Sequence, residues 1–575
     1  MKNKTNWLLT FCVTLFIFLI YLASLCPTLY LIDSGELATV SYTLGVAHPT
    51  GYPLYTLISF FFSHLPGSPI FNLNLLSALF SSLAAGFLLY GSAFDQRDST
   101  GSLADEVHYF LPAFLFAFAP TVWRTSVTNE VYPLTGLFCV LILFLLFRVK
   151  RDRDLYILAY VLGLAFTNHM IVFSLALPVI IYAIVVHRLG LKKIIFSTGF
   201  FVLGLSLYLY LITRTRGGAE IAWGNVCNIQ RLIWHITGKQ YRVWMFSSNF
   251  TEISRNLTRG LEVLGRNLLY LFIIPVLTGF YCLLKKARKK FFLLLAIILL
   301  NILYTINYSI PDIESYYIPS LVALVFAVGF GLNIFWKYLK WFIALPIALA
   351  LPLINYRDCT LRDNAFGRDY GFVHVDQLPV NALLVSVYWD VYSPIMYLRN
   401  VEGVRKDLVV VDKELLRRTW YIKYLQREYP DFMTHVQGAV NKYLPELVKF
   451  EYGRPYDSYT IQKAYLDLLT GMVDVKMKDG VFFAMPYPDR DLDQVKPDYS
   501  RRPYGPDIQI AENETLTTVF DFKRLRLHKP KIINDPRLGY NAGFFKNMIK
   551  NNVPYLRAMN QADAAAQAEA WLKKF

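Results

Sequence analysis

The chain has 575 residues, 55% apolar and 17% charged, against the roughly 25% charge of ordinary soluble domains. Its net charge of +16 argues for nucleic acid at first sight, but the Lys and Arg residues sit between apolar blocks rather than on one basic face. Nucleic-acid binding is therefore set aside, as is a zinc or disulfide framework. The six cysteines (12, 26, 139, 227, 282 and 359) show no CxxC spacing, and pairing among Cys26, Cys227 and Cys359 has no spacing argument behind it.

Taken in chain order, apolar runs long enough to cross about 30 Å of hydrocarbon occur near 7–26, 71–93, 108–123, 131–149, 155–169, 171–187, 194–213, 266–284, 291–308, 316–336 and 340–355. The first follows Lys2 and Lys4 without a small-residue cleavage site and reads as a retained helix rather than a signal peptide. Residues 51–66 are apolar but short, which suggests a juxtamembrane or re-entrant helix. The amphipathic run 228–246 reads as a surface helix, with Lys239 and Arg242 at lipid headgroups. Beyond 356 the composition turns soluble. "NALLVSVYWD" (381–390) and "DLVVVDKELL" (407–416) read as buried strands flanking a helix, and the alanine-rich end reads as a terminal helix.

The fold class expected is thus a polytopic α-helical membrane protein of about eleven spans, residues 1–355, carrying outer loops 27–70 and 214–265. A C-terminal extracytoplasmic α/β domain, 356–575, follows. Basic residues fix the orientation. Lys2, Lys4, Arg97, Arg148, Lys150, Arg151, Arg153, Arg188, Lys192, Lys193, Lys285, Lys286, Arg288, Lys289, Lys290, Lys337 and Lys340 fall on one side, whereas residues 27–70 contain no Lys or Arg at all. The N-terminus is expected in the cytoplasm, with a bacterial inner membrane as the setting.

Five outer segments hold the chemistry-bearing residues. Asp33 and Glu36, three apart, share a face of any helical turn; Asp33 or Ser34 caps a helix there, Asp33 serves as a base, or both hold, since a helix-end carboxylate is well oriented for base work. "AHPTGYP" (47–53) adds His48 and Tyr52 to a rigid turn. "WRTSVTNEVYP" (123–133) brings Arg124, Asn129, Glu130 and Tyr132, and "FTNHM" (166–170) brings Asn168 and His169. Interfacial acids usually face an internal cavity. "TRTRGGAEIAWGN" (213–225) brings Arg214, Arg216 and Trp223. The arginines either snorkel at a membrane edge or clamp a phosphate, and their outer-face position runs against the positive-inside trend. Asp312 and Glu314 in "IPDIESYYIPS" (310–320) read as solvated.

These motifs also carry a resemblance. "DSGELATVSYTLGVAHPTGYPLY" (33–55), then "TNEVYPL", "TNH", "RTRGGAEIAWGN", "GKQY" and "IPDIESYYIPS", in that order, resemble a multispanning family widespread in bacteria and represented in animals by a protein O-mannosyltransferase. The likeness runs from residue 7 to about 400, and more loosely into "NMIKNNVPYLRAM" (547–559). It implies a GT-C-like glycosyltransferase that moves a sugar, mannose in the first instance, from polyprenyl phosphate to a protein Ser or Thr with inversion. Asp33 then stands where that superfamily keeps its base, with Glu36 beside it. His48, Tyr52, Arg124, Asn129, Glu130, Tyr132, Asn168, His169, Arg214, Arg216 and Trp223 are the candidates for binding substrate or donor. The partners implied are the lipid-linked sugar, an acceptor protein and membrane lipids. The scheme requires no cofactor, and Asp33, Glu36 and His48 leave a divalent metal open. A glycan or lipid acceptor remains an alternative. So does a transporter, against which stand the one-sided charges and the lack of repeated halves.

Overall fold

The computed structural model describes residues 2–94, 110–310, 312–335, 341–513, 518–530 and 535–575. Arg97, Lys337 and Lys340, and the first two positions of the run 108–123, lie outside the described residues. The chain divides into two compact units. One takes Met1–Cys26, His48–Gly217 and Val226–Arg362; the other takes Pro27–Ala47, Gly218–Asn225 and Asp363–Phe575.

The first unit is helical because apolar chain in hydrocarbon must satisfy its backbone internally. Every one of the eleven apolar runs carries helix, and five helices among the described residues are long and apolar enough to cross a membrane: Trp7–Ser24, Pro69–Gly91, Met170–His187, Leu191–Arg216 and Ile313–Leu332. Pro53–Ser63 and Tyr132–Leu146 are apolar and shorter. The run 108–123 is broken: Phe110–Ala117 stops before Pro120, which opens Pro120–Ser126 behind the extended Ala119. Proline suits the first turn of a helix, where its missing N–H has no partner to lose. Helices Ile273–Lys286 and Ile318–Phe335 approach so closely that a Cβ on Gly279 would overlap the Ala327 carbonyl, and one on Gly331 that of Pro275. Small residues permit such backbone contact where lipid gives no hydrophobic drive. The surface run resolves into Ile229–Ile236, capped by Asn228, and a 3-10 turn Lys239–Trp244, with Lys239 3.4 Å above the Trp234 ring.

The second unit centres on a five-stranded sheet: β1 (Leu383–Ser386), β2 (Val409–Asp412), β3 (Val481–Ala484), β4 (Ser500–Tyr504) and β5 (Asp507–Ala511), in the order β2-β1-β3-β5-β4. β2, β1 and β3 run parallel; β5 is antiparallel to both neighbours. The parallel strands "LLVS", "VVVD" and "VFFA" are buried throughout, which is why they read as unbroken apolar runs rather than alternating ones. Helix Trp389–Asn400 links β1 to β2. It starts three residues beyond the C-terminal end of β1, the end at which α/β sheets gather their ligand-binding groups. The last helix, Ala562–Lys574, brings Trp571 to 5.6 Å from Phe545.

Candidate functional site

Residues 27–47 pack within the second unit, far in sequence from the rest of it. Helix Ser34–Thr43 begins at Asp33, whose carbonyl accepts the Leu37 N–H at 2.8 Å. Asp33 thus occupies the cap position, but its carboxylate caps nothing. Instead Oδ1 accepts the Trp389 indole N–H at 2.8 Å. The side chain of Ser34 is likewise turned away from the helix, accepting the Tyr30 N–H at 3.3 Å. The capping alternative holds for the backbone of Asp33 and fails for its carboxylate.

Ile32, just before Asp33, has φ +63°, a left-handed conformation that a β-branched residue adopts at a cost. Its N–H is held by Asp390 Oδ1 at 2.9 Å. Asp390 is fully buried and is matched by Arg537, whose Nε and Nη2 each lie 2.8 Å from its carboxylate, and by Asn541 Nδ2 at 2.8 Å. Tyr30 adds a hydrogen bond to Asp535, which caps helix Pro536–Ala558. Glu36 is fully buried, and its N–H donates to Ser393 Oγ at 3.1 Å. Gly35 makes this approach possible, since a Cβ there would overlap the Ser393 carbonyl. The helix pair Ser34–Thr43 and Trp389–Asn400 is therefore set by a glycine on one side and a serine on the other.

Trp223 belongs to the same unit. Its N–H donates to the Val46 carbonyl at 3.2 Å, and Val46 and Ala222 form a parallel bridge. Its ring lies 5.7 Å from Trp389, edge-on, and 4.6 Å from Trp420. An aromatic wall so adjoins the Asp33 carboxylate. At the end of β2, burial pushes the Asp412 carboxyl up to about 7, partly offset by the Leu415 N–H. Burial also raises Asp507, against the pull of His374 at 2.7 Å.

The helical unit gathers the other candidates. His48 Nε2 lies 2.9 Å from the Tyr52 hydroxyl, and the Tyr52 ring stacks on His169 at 5.8 Å and 6°. His169 also meets Tyr132 at 5.3 Å and Tyr316 at 5.2 Å, while its Nδ1 accepts the Ile171 N–H. The Asn168 amide donates to the Val131 carbonyl and to Thr135 Oγ1. Asn129 accepts the Tyr55 hydroxyl, and the Glu130 N–H donates to Ser77 at 3.4 Å. Arg124 reaches the Asp358 carbonyl at 3.3 Å. Asp312, expected to be solvated, accepts the Tyr132 hydroxyl at 3.3 Å, and Glu314 pairs with Arg266 at 3.2 Å.

Arg214 and Arg216 close helix Leu209–Arg216. Two positions apart on a helix is about 200° of rotation, so the two side chains leave the helix on opposite sides. Arg216 is exposed and donates to the Cys227 carbonyl at 2.8 Å; Arg214 is half-buried and bonds Tyr210.

Sequence reasoning missed Trp389, Asp390, Trp420, Arg537 and Tyr316. For the first two a signal existed: "YWDVYSP" (388–394) places a Trp and an acid directly after a parallel strand.

Residues 33–193 match the family model of the Protein O-mannosyl-transferase TMEM260 N-terminal domain. The resemblance carried by the motifs is borne out there. The match opens on Asp33 itself. The Mus musculus Protein O-mannosyl-transferase TMEM260 is 28% identical over 440 residues, covering 69% of this chain and 61% of that protein. The Dictyostelium discoideum Protein O-mannosyl-transferase tmem260 is 25% identical over 460 residues, covering 68% and 55%. The chain thus spans little more than half the length of these relatives. Among solved structures, ArnT from Cupriavidus metallidurans bound to undecaprenyl phosphate is 14% identical, with 72% of this chain and 91% of that one covered at a TM-score of 0.49. The mycobacterial arabinofuranosyltransferase AftD is 15% identical, with 70% and 32% covered at a TM-score of 0.41.

Proposed function

We propose that the chain is an inverting, GT-C-like membrane glycosyltransferase. It moves mannose from polyprenyl phosphate to a Ser or Thr hydroxyl of a protein on the extracytoplasmic face of a bacterial inner membrane. The observation that carries this reading is the Asp33 carboxylate, withdrawn from its helix cap and held by Trp389 at 2.8 Å, at the first residue of the matched segment. A carboxylate committed to helix N–H groups makes a poor base; one held beside the helix end keeps acceptor capacity.

In this scheme the acceptor oxygen attacks the anomeric carbon as Asp33 takes the hydroxyl proton. The bond from that carbon to the phosphate oxygen breaks, and polyprenyl phosphate leaves with the electron pair. Glu36 is proposed as the neighbour that keeps the helix start in place. Arg214 is proposed to balance charge on the leaving phosphate. His48, Tyr52, His169 and Tyr132 are proposed to recognise the donor's polar groups. The eleven crossings, the cytoplasmic N-terminus and the outer-face placement of 356–575 belong to the same reading, supported by the basic-residue asymmetry.

The test offers purified full chain in lipid nanodiscs a panel of polyprenyl-phosphate sugars and Ser/Thr peptides, with products read by mass spectrometry. Mannosylated peptide is expected. Transfer only to a glycan or lipid would move the acceptor to the alternative class, and solute uptake without any transfer would make the chain a transporter.

A further inference from the structure

We infer that Trp389 is the positioning residue for Asp33: its indole N–H sets the orientation in which the carboxylate takes the acceptor proton. This rests on the proposed role of Asp33 as base and adds to it the group that aims it. Four observations converge. The indole N–H lies 2.8 Å from Asp33 Oδ1. The next residue, Asp390, holds the N–H of Ile32, so two consecutive residues of one helix grip two consecutive residues of the opening stretch. Asp390 is itself locked by the two-pronged contact from Arg537 and by Asn541, and it is fully buried. The Trp389 ring is backed edge-on by Trp223 at 5.7 Å and lies 6.0 Å from Tyr392.

A base must present its oxygen within hydrogen-bond reach and at a fixed angle to the hydroxyl it deprotonates. The N-terminal turn of its own helix does not hold the Asp33 carboxylate. Trp389 restrains its Oδ1 from the facing helix. Indole is suited to this, being a donor only, on a rigid ring that cannot itself take the proton. The left-handed Ile32 backbone is held in place by the same helix, through the Asp390 carboxylate on its N–H.

The experiment compares Trp389→Phe, Asp33→Asn and the double variant in the full chain in nanodiscs, with polyprenyl-phosphate mannose and a Ser-containing peptide. Trp389→Phe is expected to lower kcat about tenfold or more while both KM values stay within about twofold, because orientation rather than binding is lost. The double variant should, like Asp33→Asn alone, transfer no detectable sugar. If Phe at 389 destabilises the fold, 3-benzothienylalanine at that position keeps the ring shape and replaces only the N–H with sulfur; the same kcat loss is expected. Wild-type kcat in either 389 variant, with Asp33→Asn inactive, overturns the positioning role and leaves the base in place. A raised KM with unchanged kcat makes Trp389 a substrate contact instead. Full turnover by Asp33→Asn removes the base assignment itself.

Discussion

The two clusters of candidate residues are built in opposite ways. In the helical unit, His48 bonds Tyr52 four residues on, and ring contacts at 5 to 6 Å, stacked, tilted and edge-on, join His169 to Tyr52, Tyr132 and Tyr316. In the second unit, Asp33 meets a partner 356 residues away, Ile32 one 358 away, and Tyr30 one 505 away. The first is an adaptable aromatic face; the second is a knot of ionic and backbone hydrogen bonds tied around one carboxylate. The difference teaches which cluster is specified for geometry. Stacked rings tolerate small displacements, whereas a buried ion pair does not.

That contrast can be broken most severely at Arg537. Removing it leaves the buried Asp390 charge with neutral donors, the Ile32 N–H and the Asn541 amide, in place of its cation, so Arg537→Ala should destabilise the second unit by about 3–5 kcal/mol, read from denaturant unfolding. A neutral result would show the knot to be dispensable.

The next effect is one of pH. Asp412, at about 7 in the folded chain against the ordinary carboxylate value near 4, binds a proton over that interval that the unfolded chain has lost. Its contribution is therefore most favourable below about pH 4 and is lost as pH rises towards 7, a change on the order of a few kcal/mol. Asp412→Asn should flatten that slope in stability measured against pH; an unchanged slope would assign it to other groups.

Gly35→Ala sharpens the comparison by sign. Alanine is favoured over glycine in a helix by about 1 kcal/mol, but here its Cβ would meet the Ser393 carbonyl. Overpacking should win, lowering thermal stability by about 1–3 kcal/mol and moving Asp33 with the helix. The smallest effect is expected in the aromatic face: Tyr52→Phe removes the hydroxyl bonded to His48 and should cost about 1 kcal/mol of stability while leaving the ring stack on His169 intact.

Much of the helical unit was legible because hydrocarbon imposes one local solution on apolar chain, so each apolar run reads as a helix. The break at Pro120 was missed when 108–123 was read as one span; proline chemistry accounts for it. Of the strands of the second unit, β1 and β2 were visible as apolar runs, but β3, β4 and β5, the registers, and the assignment of residues 27–47 and 218–225 to that unit were not. Those depend on contacts hundreds of positions apart, which no local periodicity records. The same holds for the site. Asp33 was found by its unusual exit from an apolar run, and the cap expected of it was right for its backbone. Its carboxylate was diverted by Trp389, a residue that in sequence is only one aromatic among many. Arg214 and Arg216 show the reverse: adjacent in motif, they part on the helix because of its pitch.

The most direct measurement is the turnover of Asp33→Asn, reconstituted at wild-type yield, with polyprenyl-phosphate mannose and a Ser-containing peptide. The account predicts a folded, membrane-inserted protein that retains donor binding and transfers no detectable sugar. Transfer at the wild-type rate by that variant would contradict it.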